Sequence, residues 1–336
     1  MPNKSDMKTR RTFLGASLVA STVMFGSIPL KVFAEEKYPQ HLINLVVGFS
    51  AGGQSDILGR RLAQGLMPVL GQTVVVLNKV GGTSTIATRY VAESKPDGYT
   101  LLLGGGSGLV MAPLVMKVPY DPIKDFKAIS QLTRAMLCIA VHPSVPATSL
   151  KELVDLIKKN PGKYSYATSG FGGSDHMTGE LFKQVAGNLD ILHVPYKGAS
   201  PAAQDVMAGQ VPILITTLSS IYPNSKSGQL RILAGTGAER SSAAPEIPIA
   251  VEEGYPELIA ETYNFLNVPA DTPQEIVDML SEAVSKLMNT QEFIDSLRKL
   301  QFEPVTDSTP EKVDQYIKSE ISKWKAVVRK AEIEPR

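Results

Sequence analysis

The run Gly48-Phe49-Ser50-Ala51-Gly52-Gly53-Gln54-Ser55-Asp56 carries the reading of this chain. Ahead of it lies an apolar segment, Leu42-Ile43-Asn44-Leu45-Val46-Val47, which reads as a buried strand. Behind it Ile57, Leu58, Leu62, Gly65, Leu66 and Val69 recur at helical spacing, so a helix is expected from about Gln54. A strand, a glycine-rich turn and a helix N-terminus together make an anion site. The first helical N–H groups have no intrahelical partner, and the macrodipole places roughly +0.5 charge there. Gly52 and Gly53 lack a Cβ, which lets their backbone come close to a ligand. The same glycines would also serve a plain tight turn. The phosphate-loop pattern G-x-x-x-x-G-K-[ST] fits from Gly48 to Ser55 except that Gln54 stands where the lysine belongs. Without that cation a polyphosphate is poorly matched. A carboxylate, with one charge and two oxygens, suits a few N–H donors and a hydroxyl such as Ser50 or Ser55. Asp56 also disfavours a highly charged ligand, and an acid in the first turn stabilises its helix.

The chain has 336 residues, enough for two domains with their own cores. Lys and Arg number 34 against 33 Asp and Glu, a balance that points away from nucleic acid and from anionic membranes. At the N-terminus, Thr9-Arg10-Arg11-Thr12-Phe13-Leu14-Gly15 sets paired arginines before a weakly apolar run over residues 13–30. Val32-Phe33-Ala34 then offers small or modest residues at −3 and −1. Residues 1–34 are therefore expected to be a signal peptide, cleaved after Ala34. The arginine pair and Lys31 favour the twin-arginine route over the general secretory one. Either route ends in the periplasm. Cys138 is the single cysteine, set in the apolar run Met136-Leu137-Cys138-Ile139-Ala140-Val141, and reads as a buried inert thiol.

Past the leader, strand-like and helical patterns alternate. Strands are expected over residues 42–47, 73–77, 100–103, 136–141, 164–167, 191–194, 211–216 and 230–234. Helices are expected over 55–70, 84–93, 150–159, 175–186 and 201–208. This predicts an α/β protein with mainly parallel sheets. The tail is nearly all helical. Thr272-Pro273-Gln274-Glu275 and Thr309-Pro310-Glu311-Lys312 both read as cap–proline helix starts. In the last helix Val313, Tyr316, Ile317, Ile321, Trp324, Val327 and Val328 share one face. Chain crossings are expected at residues 131–134 and 260–264. They divide the mature chain into a discontinuous first lobe, 35–132 with 263–336, and a second lobe, 133–262, with a cleft between them.

A second glycine-rich turn sits in the second lobe: Ala167-Thr168-Ser169-Gly170-Phe171-Gly172-Gly173-Ser174-Asp175-His176. It too follows a strand and precedes a helix, so two such turns can grip one anion from both sides. Read alone, it is also an ordinary solvated loop with a capped helix. Enzyme motifs fail. Gly172-Gly173-Ser174-Asp175-His176 lacks the last glycine of a nucleophile elbow, and Gly104-Gly105-Gly106-Ser107-Gly108-Leu109 lacks that of a dinucleotide fingerprint. His41, His142, His176 and His193 show no metal-ligand spacing. His176, within the second turn, is the one placed to orient the loop or touch a ligand.

These motifs belong to a wider set. Residues 49–56, Asn78 with Gly81-Gly82, Pro96-Asp97-Gly98-Tyr99-Thr100-Leu101-Leu102, Pro119-Tyr120-Asp121-Pro122, residues 166–176, His193-Val194-Pro195-Tyr196-Lys197-Gly198 and Gly209-Gln210-Val211 recur across the mature chain. In them the chain resembles the Bug-type solute-binding proteins of tripartite tricarboxylate transporters. The resemblance implies a Venus-flytrap fold and no catalytic activity, metal or cofactor. It implies a periplasmic receptor that hands a small organic carboxylate to membrane subunits of the transporter. It also implies ligand contacts at Phe49, Ser50, Gly52 and Gly53 in the first turn. In the second turn they fall at Thr168, Ser169, Gly170 and Ser174, with His176 and Asp205 nearby. Ser50-Ala51 replaces prolines common in the family's first turn. Pro212 and Thr216-Thr217 replace residues that are often acidic or amide. The distal wall therefore departs from the pattern, and dicarboxylates, aromatic carboxylates and amino acids all remain open. The alternatives are an exported α/β hydrolase using Ser174 with His176, and a ligand sensor for a membrane kinase.

Changing Arg10 and Arg11 together to lysine is expected to leave precursor in the cytoplasm. Normal periplasmic maturation of that double variant, followed by cell fractionation and immunoblotting, would instead assign the general secretory route.

Overall fold

The apolar runs of this chain form two sheets that share one strand, with the inner strands buried and the edge strands partly exposed. The computed structural model describes residues 38–335, so the expected signal peptide lies outside the described residues. The first elements are β1 (Ile43–Val47), α1 (Gln54–Leu70), β2 (Val74–Asn78), a 3-10 turn (Gly82–Ser84), α2 (Thr85–Ala92), β3 (Thr100–Gly105), a π-helical turn (Ser107–Met111) and α3 (Ala112–Val115). Then come β4 (Phe126–Val141), α4 (Leu150–Lys158), β5 (Tyr164–Thr168), α5 (Ser174–Val185), β6 (Ile191–Pro195), α6 (Ala199–Met207), β7 (Ile213–Thr217), α7 (Leu218–Lys226) and β8 (Arg231–Gly235). The chain ends with β9 (Glu261–Pro269), α8 (Gln274–Met288), α9 (Gln291–Lys299), β10 (Glu303–Pro304) and α10 (Pro310–Lys330).

Each sheet is built on a parallel trio, as the alternation predicts. The first sheet runs β2-β1-β3-β9-β4-β10, with β1 parallel to β2 and β3. The second runs β6-β5-β7-β4-β8, with β5 parallel to β6 and β7. Every antiparallel pairing involves β4 or β9. β4 belongs to both sheets: Phe126 to Met136 pair with β9, and Leu137 to Val141 pair with β7 and β8. The result is a two-lobed α/β fold in which partner exchange along β4 falls between Met136 and Leu137, and β9 begins after Ala260.

Side-chain alternation sorts the core into layers. Ile43, Leu45, Val47, Leu101 and Leu103 face α1 and α8 in one cluster, while Val46 and Leu102 face the other way. In the second sheet Ile139, Ile213 and Ile215 line the cluster that also holds Val46, Leu102 and Tyr263, so one apolar core spans both sheets. Cys138 points to the opposite layer and is fully buried, which pushes its thiol up. α8 and α9 pack on the first sheet, but α10 lies in the shared core through Val313, Ile317, Trp324, Val327 and Val328. Its Val327 carbonyl accepts from Gln184 Nε2 of α5 at 2.9 Å, and Trp324 Nε1 donates to Glu320 at 2.8 Å.

Of the strands and α-helices longer than four residues outside the helical tail, three escape the sequence patterns in whole or in part. β4 begins at Phe126 rather than at residue 136, and β9 and α7 were not anticipated. The polar residues of β4 and β9 mask their periodicity because they bond to each other: Asn264 Nδ2 donates to Thr133 Oγ1 at 3.0 Å across the buried ladder. At α8 the proline itself is the N-cap, and the Thr272 hydroxyl donates to the Pro269 carbonyl at 2.7 Å instead of capping. Thr309 does cap α10, accepting from the Lys312 N–H at 3.3 Å.

The β1–α1 connection positions the cleft. Gly53 is the N-cap of α1, and Gly71, at φ 67°, ends the helix in a left-handed cap. Asp56 does more than favour the helix dipole. Its carboxylate, 2% exposed, accepts from Arg60 Nε, the Gly52 N–H and Asn78 Nδ2, each at 2.9 Å. The same Asn78 amide donates to the Phe49 carbonyl at 3.0 Å. These donors, Arg60 first, hold the Asp56 carboxyl down at about 2.

A carboxyl depressed in the folded state stabilises the fold above its unfolded pKa, about 3.9, and loses that contribution as pH falls through the folded value. Asp56→Asn is therefore expected to cost about 2 kcal/mol near neutrality and to flatten the loss of stability between roughly pH 4 and pH 2. Melting curves across that window check both. A variant as stable as the wild type at pH 7 would reduce Asp56 to a dipole effect.

Candidate binding cleft

Three strand-to-helix junctions meet where the lobes face each other. The first is the 48–54 turn ahead of α1, the second the 168–174 turn ahead of α5, and the third the β7–α7 junction. Gln54, the first residue of α1, donates through Nε2 to Ser219 Oγ of α7 at 2.6 Å. Ser107 Oγ, opening the π-helical turn after β3, lies 3.4 Å from both Ser174 Oγ and the Ser174 N–H at the start of α5. Thr83 Oγ1 donates to the Phe171 carbonyl at 3.3 Å. Five uncharged side chains and one carbonyl thus join the lobes. The helices behind them have 17, 12 and 9 residues, so three positive dipole ends point toward one cleft.

Each glycine-rich turn folds around an acid in the first turn of its helix. Asp56 serves the first. In the second, Asp175 accepts from the Ser169 N–H through Oδ2 and from the His176 N–H at 3.0 Å through Oδ1. Among the described residues Asp175 has no cation of the kind Arg60 supplies to Asp56, and burial raises its pKa. The loop N–H groups are largely engaged by these internal bonds. Gly52 donates to Asp56, Gly53 to the Ser50 carbonyl at 3.1 Å, and Gly170 to Thr168 Oγ1 at 3.3 Å. Gly172 donates to His176 Nδ1 at 3.1 Å. In this structure the N–H groups of Gly52, Gly53, Ser169 and Gly170 shape the turns, because each lies within reach of an acceptor in its own loop or in the first turn of the following helix.

The remaining expected residues separate into two groups. Phe49 and Ser50 are exposed at the tip of the first turn, and Ser174 reaches the interface with Ser107. Thr168, His176 and Asp205 lie behind the surface or are already paired. Thr168 is fully buried and its Oγ1 is 2.6 Å from His193 Nε2. His176, 3% exposed, is stacked between Phe171 and His193, with ring centroids 4.9 and 4.0 Å away, and its Nε2 is 4.0 Å from Glu180. Of its two expected roles, orienting the loop fits this burial. Burial, with His176 alongside, lowers His193 to about 3, so this ring is neutral at ordinary pH. Asp205 accepts from Tyr196 OH at 2.6 Å, which pushes that phenol up to about 12.

Sequence reasoning missed Gln54 as a bridging group, and also Thr83, Ser107 and Ser219. A weak signal existed for two of them. Gly104-Gly105-Gly106-Ser107-Gly108 follows a strand, and Thr216-Thr217-Leu218-Ser219-Ser220 sets hydroxyls after another. The glycines at 105 and 106 have a packing reason. A Cβ on Gly106 would lie 2.9 Å from the Tyr263 ring and one on Gly105 3.1 Å from the Tyr263 carbonyl.

Comparison with known proteins gives the family of this fold. The family model for the tripartite tricarboxylate transporter family receptor, TctC, matches residues 58–333. The protein BugT of Bordetella pertussis is 32% identical over 296 residues, 88% of this chain and 90% of BugT. Rpa4515 of Rhodopseudomonas palustris, solved with adipate, is 32% identical with a TM-score of 0.83 over 89% of this chain and all of its own. MatC from the same organism, solved with bound malate, is 27% identical with a TM-score of 0.79 over 87% of this chain and all of its own. A periplasmic-binding-protein fold, a family match over most of the described residues and relatives that are solute-binding receptors lead to one conclusion: the chain belongs to the tripartite tricarboxylate transporter family receptors of the TctC, or Bug, type.

Proposed function

We propose that this protein is a non-enzymatic periplasmic receptor that closes its lobes on a small organic carboxylate and passes it to the membrane subunits of a tripartite transporter. The observation that carries the reading is the convergence of the α1, α5 and α7 N-termini on a cleft bridged by Gln54, Ser219, Thr83, Ser107 and Ser174, none of them charged. Dipole ends and hydroxyl or amide donors match a singly charged, delocalised group. Ligand contacts are assigned to Phe49, Ser50 and Ser174, joined by Gln54, Ser107 and Ser219. Gly52, Gly53, Thr168, Ser169, Gly170, His176 and Asp205 are assigned to holding the turns. The relatives bound to adipate and malate support a ligand with a second carboxylate, placed toward the α7 N-terminus. The hydrolase alternative has less support, because the two His176 nitrogens face Gly172 and Glu180 while Ser174 faces Ser107. Export with cleavage after Ala34 completes the reading.

The lobes are assigned as residues 35–132 with 263–336 and residues 133–262, with crossings at 131–134 and 260–264, next to the partner exchange at Met136–Leu137 of β4 and the start of β9. Closure then occurs around these two crossings.

Adipate, malate, glutamate and benzoate span the chemistry left open. At least one is expected to raise the melting temperature of the mature protein without being consumed. Micromolar affinity corresponds to about 8 kcal/mol, and ligand at 100 times Kd adds about 2.7 kcal/mol of stability. Turnover abolished by Ser174→Ala would support the hydrolase instead.

Small-angle scattering should report a smaller radius of gyration with ligand than without it. Gln54→Ala, which removes a neutral hydrogen bond across the lobes, should weaken binding roughly fivefold, as about 1 kcal/mol implies. An unchanged scattering profile at saturation together with full affinity in Gln54→Ala would argue against closure at this contact.

A further inference from the structure

Residues 81–84 form four consecutive left-handed positions: Gly81 at φ 134°, Gly82 at 55°, Thr83 at 55° and Ser84 at 77°. Glycine adopts such angles freely, but Thr83 is β-branched and Ser84 carries a Cβ. They are the only adjacent pair of non-glycine residues with positive φ among the described residues. Strain of this kind persists where the surrounding structure imposes it, and it clusters at ligand clamps.

Ser84 is also the N-cap of α2, a position where serine ordinarily accepts from the helix backbone. Here its side chain makes no cap bond. The residue is 2% exposed and its Oγ has no hydrogen-bond partner among the described residues. A buried hydroxyl left unpaired is uncommon and calls for an explanation.

The surroundings place that hydroxyl at the lobe-1 side of the cleft. A Cβ on Gly48 would lie 2.0 Å from Ser84 Oγ, and one on Gly108 would lie 3.2 Å from it. Gly48 opens the turn that leads to α1, and Gly108 follows Ser107, whose hydroxyl faces Ser174 of the other lobe. Two missing side chains therefore make room for Ser84 Oγ where two cleft loops meet. The preceding residue, Thr83, bonds the Phe171 carbonyl across the cleft.

We propose that Ser84 is a ligand-contacting residue, its hydroxyl donating to a carboxylate oxygen held between the lobes, while Thr83 secures the closed position. The left-handed backbone turns Ser84 away from its helix and toward the anion. The inference rests on the carboxylate reading of the cleft.

Two variants test it, with the carboxylate panel of adipate, malate, glutamate and benzoate as probes. Ser84→Ala keeps the Cβ and the backbone angle but removes the hydroxyl. Ser84→Gly removes the hydroxyl and relieves the left-handed strain. Calorimetry should show both variants binding the wild type's preferred panel member about tenfold more weakly, the effect of one lost hydrogen bond. Ser84→Ala should melt no lower than wild type, and Ser84→Gly at or above it. Full affinity in both variants overturns the proposal and leaves the carboxylate reading intact. A lower melting temperature in both makes Ser84 a structural residue and also overturns it. A wild-type protein that binds no panel member overturns this proposal together with the carboxylate reading.

Discussion

A strand that belongs to two sheets fixes how those sheets face each other, and β4 is such a strand. Its sixteen residues run without interruption from the β9 ladder to the β7 and β8 ladders. The register shifts near Ala128–Ser130 and Gln131–Thr133 bend the strand, as bulges do, before it changes partners. Because the backbone is continuous, the C-terminal ends of β1 and β3 and those of β5 and β7 are brought to one cleft. The helix N-termini that follow these strands therefore converge. The anion-binding character proposed for the site would in this sense follow from topology, with side chains refining it.

The two lobes are not separate bodies joined by strands alone. One apolar cluster runs from Val46 and Leu102 through Ile139 and Ile215 to Val313 and Trp324. α10 seals it, reaching α5 through the Gln184–Val327 bond. Any movement of one lobe against the other must slide or flex this layer, which favours a small set of discrete positions over free motion. The contacts at the cleft mouth are of a different kind. Gln54–Ser219, Thr83–Phe171 and Ser107–Ser174 are isolated polar bonds, each worth about 1 kcal/mol net and readily exchanged for water. A firm apolar seam on one side and weak polar bonds on the other suit a cleft that opens at its mouth.

Local order in the turns comes from buried acids. Asp56 and Asp175 each reach back from the first helical turn to an N–H in the preceding loop, much as the acid of a capping box does. Their environments differ. Arg60 and Asn78 stabilise the Asp56 carboxylate, whereas Asp175 is enclosed and its pKa raised by burial. Once the loop N–H groups are engaged in this way, the groups turned toward the cleft are chiefly side-chain hydroxyls and the Gln54 amide. These can be exchanged by substitution without refolding the turn.

Much of the architecture was legible in the sequence, because burial of the inner strands on both faces leaves continuous apolar runs and the helices between them keep a clear period. Eight strands, five helices and the helical tail were placed this way. The glycine-rich turns at 48–53 and 168–173 were legible too, since strand, glycine and helix start are local signals. Tertiary structure alone decided the rest. β9 and the first half of β4 carry Thr133 and Asn264 in a buried ladder, where each supplies the other's hydrogen bond, so their polarity hid them. Gln54 and Ser219 are separated by 165 residues, and nothing local to either says that they meet. Ser84 falls at the start of the helix expected over residues 84–93, and only its left-handed backbone in the structure sets it outside that helix. Sequence by itself determined most of the elements, the family and the two turns, because these follow from local periodicity, motifs and backbone chemistry. Which groups face one another across the cleft was decided only when β4 set one sheet against the other, because long-range pairing depends on chain topology and leaves no local mark.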